Sequence, residues 1–482
     1  MMMRMERGFA FAILPLFLAG CVSTGEIASY SDPKAGFSTV QAHASSVTGK
    51  ETVWIRSRAQ ADEIAARVRT TIDKKTINAD TAVQVALLNN RGLQAAYAEL
   101  GISAADVWQQ TMLVNPRIAI GGSALGAPNR TVEGTVIGNI MALATQRRRV
   151  DVAASRFYAA RFRAAEETLR VAAAARRAWI NAASAWEHVA YLNKAQTAAD
   201  AASELAKQLG ESGAMPKGEQ AREHAFYAEL TGEVAKARLE ARLAKEELTR
   251  QMGVWGQDLD YSVPNALPGL PKGIKSNPAI EAKALRNRLD LQAAKADLLA
   301  LAQSYGLTQA TRYLTDLELT GGGEVERNGR KNLASGVAEA AFEIPIFDSG
   351  KARLRKAELE YIRAANILAQ KAVNIRSEAR SAEERYRSSY KIARHYRDNV
   401  LPLRTTVEEQ ALLTYNGMIT NTFELLADVR AKVDATQLSL DAKRAFWLAD
   451  VDRNTAIYGG GAGAPGSGDA ETASAESGTS AD

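Results

Sequence analysis

The chain has 482 residues, of which 46% are apolar, 24% charged and 6% aromatic, and its 60 basic and 55 acidic residues leave a net charge of +5. One cysteine excludes a disulfide framework and any Cys-built zinc or iron–sulfur site, and four scattered histidines (His43, His188, His224, His395) form no His-rich metal site. No Lys/Arg block concentrates the basic excess, which argues against nucleic acid as a partner, and no apolar run beyond the N-terminus is long enough for a transmembrane helix.

Residues 1–20 read as a signal peptide, because Arg4 and Arg7 precede the apolar run Phe9–Leu18, which is too short to span a bilayer. Leu18-Ala19-Gly20-Cys21 then resembles a bacterial lipoprotein lipobox, with small residues for the peptidase and the chain's only thiol at the acylated position. That resemblance implies a diacylglycerol and palmitate-type anchor at Cys21. Val22, rather than Asp, follows the cysteine, which in such lipoproteins implies delivery to the outer membrane. Residues 21–79 are expected to be the lipid-anchored N-terminal segment.

The rest of the chain repeats once. Ala86–Leu100 and Ala284–Leu298 match at nine of fifteen positions at an offset of 198, sharing Leu-Gln-Ala-Ala, and Gly213 meets Gly417 at an offset of 204. The expected organisation is repeat 1 at 80–252, a Pro/Gly-rich linker at 253–277, repeat 2 at 278–458 and a small, polar, disordered tail at 459–482. Each repeat opens with helical periodicity, over Asp80–Met112 and Ala279–Gln303. A hairpin of alternating residues follows, at 117–144 and at 313–346. Its expected strands are Arg117–Leu125, Thr131–Ala144, Tyr313–Thr320 and Ala334–Ile346, with turns near Ala127–Arg130 and Glu324–Lys331. Ile118, Ile120, Gly122 and Ala124, then Val132, Gly134, Val136, Gly138, Ile140 and Ala142, then Ala334, Gly336, Ala338, Ala340, Phe342, Ile344 and Ile346 each line one face. Residues 139–209 and 351–401 then lack Gly and Pro and are rich in helix formers, predicting two very long helical hairpins with tips at 210–218 and 415–420.

Four short strands separated by long helices leave two edges and a bare apolar face. Either helices cover that face, or the strands enter a membrane, where every backbone group must be paired and the sheet must close. One chain lacks the strands for closure, so the second solution requires a barrel shared by several copies. Ala-rich helices with interspersed charge would extend that barrel as a tube.

From Ala86 to Trp447 the motifs fall in a recognisable order. The duplicated Ala-Leu…Leu-Gln-Ala-Ala segments and Asn115-Pro116 come first, followed by Phe342-Glu-Ile-Pro-Ile-Phe-Asp-Ser-Gly-Lys351. Leu401-Pro402, Tyr415-Asn-Gly-Met418, Leu425-Leu426 and Phe446-Trp447 complete the order. Over residues 80–458 the chain resembles the TolC-like outer-membrane efflux factors. The fold class this implies is mainly α with a small membrane β part: two tandem repeats, a trimeric helical tunnel and a shared twelve-stranded β-barrel. It implies a passive outlet for a tripartite exporter, with a periplasmic adaptor (membrane fusion) protein and an inner-membrane pump as partners. It implies no cofactor, metal or catalytic residue. The sequence departs from the family at Leu289, often Pro there, at Thr145–Arg149, and at Glu424, which stands one step late.

Glu424 and Asp428 lie one turn apart on a helical face. Three copies would stack two carboxylate rings where the family has its periplasmic constriction; the plain alternative is a solvated helix face. Tyr415 and Arg430 are candidates to hold that end shut by hydrogen bonds or ion pairs. Gly213, Gly417 and Met418 mark the tips that, by resemblance, meet the adaptor. Competing functions are an outlet for type I protein secretion, a periplasmic adaptor, and a structural coiled-coil lipoprotein. An adaptor would carry one hairpin rather than two, and a coiled coil would not need the strands.

Overall fold

The computed structural model describes residues 24–123, 129–328, 331–417 and 422–461; Cys21, Met418 and most of the C-terminal tail lie outside that set. The N-terminal segment holds three helices, α1 (Thr24–Ser31), α2 (Phe37–Thr48) and α3 (Arg58–Ile72). The Ser57 side chain caps α3 by accepting from the Gln60 N–H, which satisfies one of the helix's orphan donors.

Each expected opening helix is two helices with a sharp break between them. The first pair is α4 (Ala79–Asn89) and α5 (Arg91–Thr111); the second is α8 (Ile280–Asn287) and α9 (Leu289–Ala310). Asn90 and Arg288 stand at the breaks in extended conformation.

Strands β1 (Arg117–Ser123) and β2 (Asn129–Asn139) form the first hairpin, and β3 (Leu317–Asn328) and β4 (Lys331–Phe342) the second. They join in one antiparallel sheet of order β1-β2-β3-β4. The second strand ends five residues earlier than its alternation suggests. Asn139 accepts the Ala142 N–H with its side-chain oxygen, so it caps α6 (Ile140–Glu211) and turns Ile140 and Ala142 into helical residues. The third strand runs eight residues past Thr320, taking in Gly321–Gly323 and part of the expected turn at Glu324–Lys331. The fourth stops at Phe342, leaving Ile344 and Ile346 outside it, where Pro345 cannot donate to a ladder.

At 72 residues, α6 extends roughly 108 Å. A five-residue connection leads to α7 (Lys217–Met252). In the second half α10 (Lys351–His395) continues through a π-helical turn, Tyr396–Val400, into α11 (Leu401–Asn416), and α12 (Thr422–Tyr458) follows. Pro402 explains the π turn. It cannot donate, and its ring would press on the carbonyl four residues back, so the Leu401 N–H reaches instead to the Tyr396 carbonyl, five back.

The chain forms two compact units, and neither coincides with a repeat. One comprises residues 1–38, 98–163 and 291–371 and contains the sheet. Within it, Tyr30 stacks edge-on against Phe157 of α6, Ser155 donates to Gln303, and Arg163 pairs with Asp297. The other comprises residues 39–97, 164–290 and 372–482. Its core packs Val68, Ile72, Val85, Leu88, Trp179, Ile180, Leu248 and Met252 together. The stretch expected to be an extended linker is fastened into this core. Val254, Tyr261 and Leu267 are buried, and Thr76 bridges to Ser262. Gly459 and Gly460, placed in the tail by composition, are likewise buried, and a Cβ on Gly460 would meet the Leu169–Arg170 backbone at 2.6 Å.

Candidate channel surfaces

Register fixes the two faces of the sheet. Ile118, Val136, Gly321 and Ala338 stand in one cross-strand row, and Ile120, Gly134, Gly323 and Gly336 in the next. Gly122, Val132, Val325 and Ala334 form a third row, and Gly138, Leu319 and Ala340 a fourth. These rows carry no charge, yet they are bare: Ile118 is 71% and Ile120 80% exposed, and Val132, Val136, Leu319 and Val325 are exposed too. From Leu317 to Val325 the band is eight steps long, about 27 Å along the strand and about 20 Å high at the tilt of a barrel strand.

The opposite face carries the carboxylates. Glu133 stands directly across from Glu324, Thr131 across from Glu326, and Glu339 across from Thr320. Arg117 pairs with Glu318, and Asn139 donates to Asp316 at 2.6 Å near the end of the sheet where α6 begins. Gly322 is the tight point: a Cβ there would lie 2.2 Å from the Gly134 carbonyl oxygen and 2.8 Å from Thr135 Cα. Among the described residues no strand lies beyond β1 or β4, so both edges are open. No described helix is long and apolar enough to cross a membrane.

At the helical tips, Leu426 and Val433 of α12 are buried against Val189 and Leu192 of α6 and Phe226 and Leu230 of α7. Two positions along a helix is about 200° of rotation, so Glu424 and Asp428 both project away from the side that buries Leu426. They share one face, Glu424 exposed and Asp428 half-buried. Arg430 does not join them. It lies on the packed side of α12, where its guanidinium donates to Glu229 at 3.0 Å and sits over the Phe226 ring at 5.0 Å. Tyr415 is half-buried at the end of α11. Lys432 pairs with Glu408 and ties α11 to α12.

Arg430 also faces Glu223 of α7, a residue that composition and spacing did not single out. Glu223 is buried, its Oε2 has no hydrogen-bond partner, and desolvation holds its carboxyl above the usual value against the opposing charges of Arg430 and His224. One signal was visible in the sequence. Phe226, Leu230, Val234, Ala237 and Ala241 make a helical apolar stripe, and Glu223 occupies its next position toward the N-terminus. Of the tip glycines, Gly213 has φ +74°, a left-handed conformation with open space around it, whereas Gly417 has an ordinary φ of −78°.

No protein-family model matches the chain, and no curated protein sequence does. Solved structures do. A membrane protein from Pseudomonas aeruginosa aligns with a TM-score of 0.70 at 17% identity, over 79% of this chain and 92% of its own. The outer membrane protein VceC from Vibrio cholerae aligns with a TM-score of 0.67 at 17% identity, over 79% and 96%. The Campylobacter jejuni outer membrane channel CmeC aligns at 0.65 and 16% identity, over 85% and 89%. The chain therefore has the TolC-like channel fold that its motif order implied.

Proposed function

We propose that the chain is the outer-membrane channel of a tripartite efflux system. Three copies close their sheets into a twelve-stranded barrel, and their long helices form the periplasmic tunnel below it. The observation that carries this reading is a sheet with open edges and one face with a bare, uncharged band about as tall as that of a membrane barrel. A bilayer solvates that face, and neighbouring copies pair the edges. The polar face then lines the lumen, with Glu133, Glu318, Glu324, Glu326 and Glu339 biasing it toward cations. Conduction is passive. A periplasmic adaptor engages the tips around Gly213, Gly417 and Met418, and an inner-membrane pump supplies the energy.

The lipid anchor at Cys21 belongs to the same reading. Phe157 lies 17 residues into α6 from its first residue, about 26 Å of helical rise. Tyr30, which rests on it, is nine residues from Cys21. Nine residues span at most about 30 Å, enough to cover that rise, which supports an acylated Cys21 near the base of the sheet, at the inner leaflet of an outer membrane.

Electrophoresis of outer-membrane fractions before and after heating tests the assembly, and planar-bilayer recording of the purified protein tests conduction. The expected results are a heat-labile trimer band and discrete conductance steps. A folded monomer that stays in solution without detergent overturns the proposal.

A further inference from the structure

The uncharged face of the sheet ends in a row unlike the others. Arg130 stands directly opposite Arg327, and Arg327 opposite Asn332, one row beyond Val132, Val325 and Ala334. Both arginines are exposed, and both share the face of the apolar band. Like charges facing each other across a ladder destabilise it. On the other face Glu318 answers Arg117, and the like charges that stand opposite each other there, Glu133 and Glu324, are acidic. Nothing of that kind answers Arg130 and Arg327: every carboxylate of the described strands (Glu133, Glu318, Glu324, Glu326, Glu339) lies on that other face. Two guanidiniums are thus held side by side on the side that carries no negative charge.

Their level is informative. Two residues beyond Val132 is about 7 Å along the strand, or about 5 Å of height after tilt. A bilayer of about 30 Å hydrocarbon grows to about 40–45 Å with its headgroups, which puts a layer about 5–7 Å thick on each side. The arginine row sits one headgroup layer above the band, at the end of the sheet away from the helices. Directly opposed side chains are rooted about 5 Å apart, a spacing at which two guanidiniums can donate to separate oxygens of one phosphate.

We propose that Arg130 and Arg327 form a binding site for lipid-borne phosphate, the headgroup of a phosphorylated lipid in the outer leaflet. The inference rests on the barrel reading above, since only there does this face meet a membrane. Bound phosphate turns the opposed arginines from a repulsive pair into a clamp, fixes the barrel's depth and, in a trimer, repeats three times around the rim.

The test uses the full-length trimer in phosphatidylcholine nanodiscs containing either bis-phosphorylated lipid A or its dephosphorylated form. Retained lipid is counted by native mass spectrometry after mild delipidation. The expected result is on the order of tenfold greater retention of the phosphorylated form, lost in Arg130→Gln/Arg327→Gln and largely kept in Arg130→Lys/Arg327→Lys. If the double Gln variant does not assemble, the comparison of the two lipids on the wild-type protein decides alone. Equal retention of both lipids overturns the inference, as does displacement by inorganic phosphate at millimolar concentration, which would mark a site for the free anion. A wild-type chain that never enters the nanodisc overturns the barrel reading as well, so the two failures are distinguishable.

Discussion

Asn90 and Arg288, 198 residues apart, hold the same backbone conformation, φ −65° and ψ 120° in one, φ −64° and ψ 119° in the other. Each donates its N–H to the carbonyl four residues back, at Ala86 and Ala284, and each breaks a helix into a short and a long piece. A left-handed glycine ends the last helix of each half beside the corresponding break. Gly253, at φ +68°, lies against Asn89 and Asn90, and Gly459, at φ +101°, lies against Leu289. The duplication read from Leu-Gln-Ala-Ala is therefore a duplicated joint.

The two joints are fastened differently, and that difference is measurable. Asn90 uses its amide, donating to the Gln251 carbonyl and accepting from the Leu93 N–H. Arg288 is nearly buried, with its side chain 12% exposed, and it grips Asp290 with two donors and Glu378 with a third. Removing one partner of such a pair strands the other charge, so Arg288→Ala should cost about 3 kcal/mol or more. Asn90→Ala should cost about 1 kcal/mol, the value of a cap. Denaturant midpoints of the detergent-solubilised protein would rank them. Equal losses would show that the buried carboxylate of Asp290 is readily rehydrated.

Gly322 should be the least replaceable residue of the sheet. It lies mid-strand with no unusual dihedral, so its need for glycine comes only from the approach of β2, whose Gly134 carbonyl would meet a Cβ at 2.2 Å. Gly322→Val should abolish the heat-labile trimer, whereas Gly321→Val should preserve it, since Gly321 faces the apolar side with nothing within 4 Å. Electrophoresis of the two variants side by side gives the answer.

How much of this was legible in the sequence follows from where the information sits. The strand faces were legible because period-two alternation is local, and Ile118, Val136 and Ala338 fall in one row as the pattern demands. Strand ends were not, because Asn139 ends β2 through a cap that alternation cannot see, while Gly321–Gly323, beyond the expected strand Tyr313–Thr320, are strand through pairing with Val136, Thr135 and Gly134. The face shared by Glu424 and Asp428 was legible from i,i+4 spacing. The separation of Arg430 from them was not, because it depends on which side of α12 packs against α7. Glu223 shows the same limit: a carboxylate in an apolar stripe is visible, but its burial is a tertiary fact.

Glu223 should make the packed end of the α6–α7 hairpin sensitive to pH. Its folded carboxyl is held above the ordinary 4.5, chiefly by desolvation. Between the ordinary and the raised value the folded chain keeps a proton that the unfolded chain has lost. The contribution of the neutral form is thus complete at low pH and is lost as pH rises through the raised value. Glu223→Gln should raise the unfolding midpoint at pH 7 and leave it unchanged at pH 4. An equal gain at both would mean that the carboxylate is not the cause.

The two tip glycines should respond differently to bulk. Gly213 adopts φ +74°, so Gly213→Val adds backbone strain of about 1–3 kcal/mol, while Gly417 at φ −78° accepts a side chain without strain. If the tips meet an adaptor, both Gly213→Val and Gly417→Leu should weaken export, with the trimer intact. Only the first should also lower the protein's resistance to proteolysis near residue 213. Export assays beside limited proteolysis separate the two effects.

The carboxylate pair on α12 gives the sharpest test of the conduit. Glu424 and Asp428 project from the face opposite Leu426, away from α6 and α7, the same face on which Lys432 ties α12 to α11. In a trimer that closes at this end, six carboxylates would converge and cations would concentrate between them. Glu424→Ala/Asp428→Ala should then lower the potassium conductance of single trimers and reduce their preference for potassium over chloride. Arg430→Ala should leave selectivity unchanged, because Arg430 is spent on Glu229 and Phe226. It should instead loosen α12 from α7 and raise the open probability. A double Ala variant that conducts and selects like its parent would make this face ordinary solvated helix and move the constriction elsewhere along the tunnel.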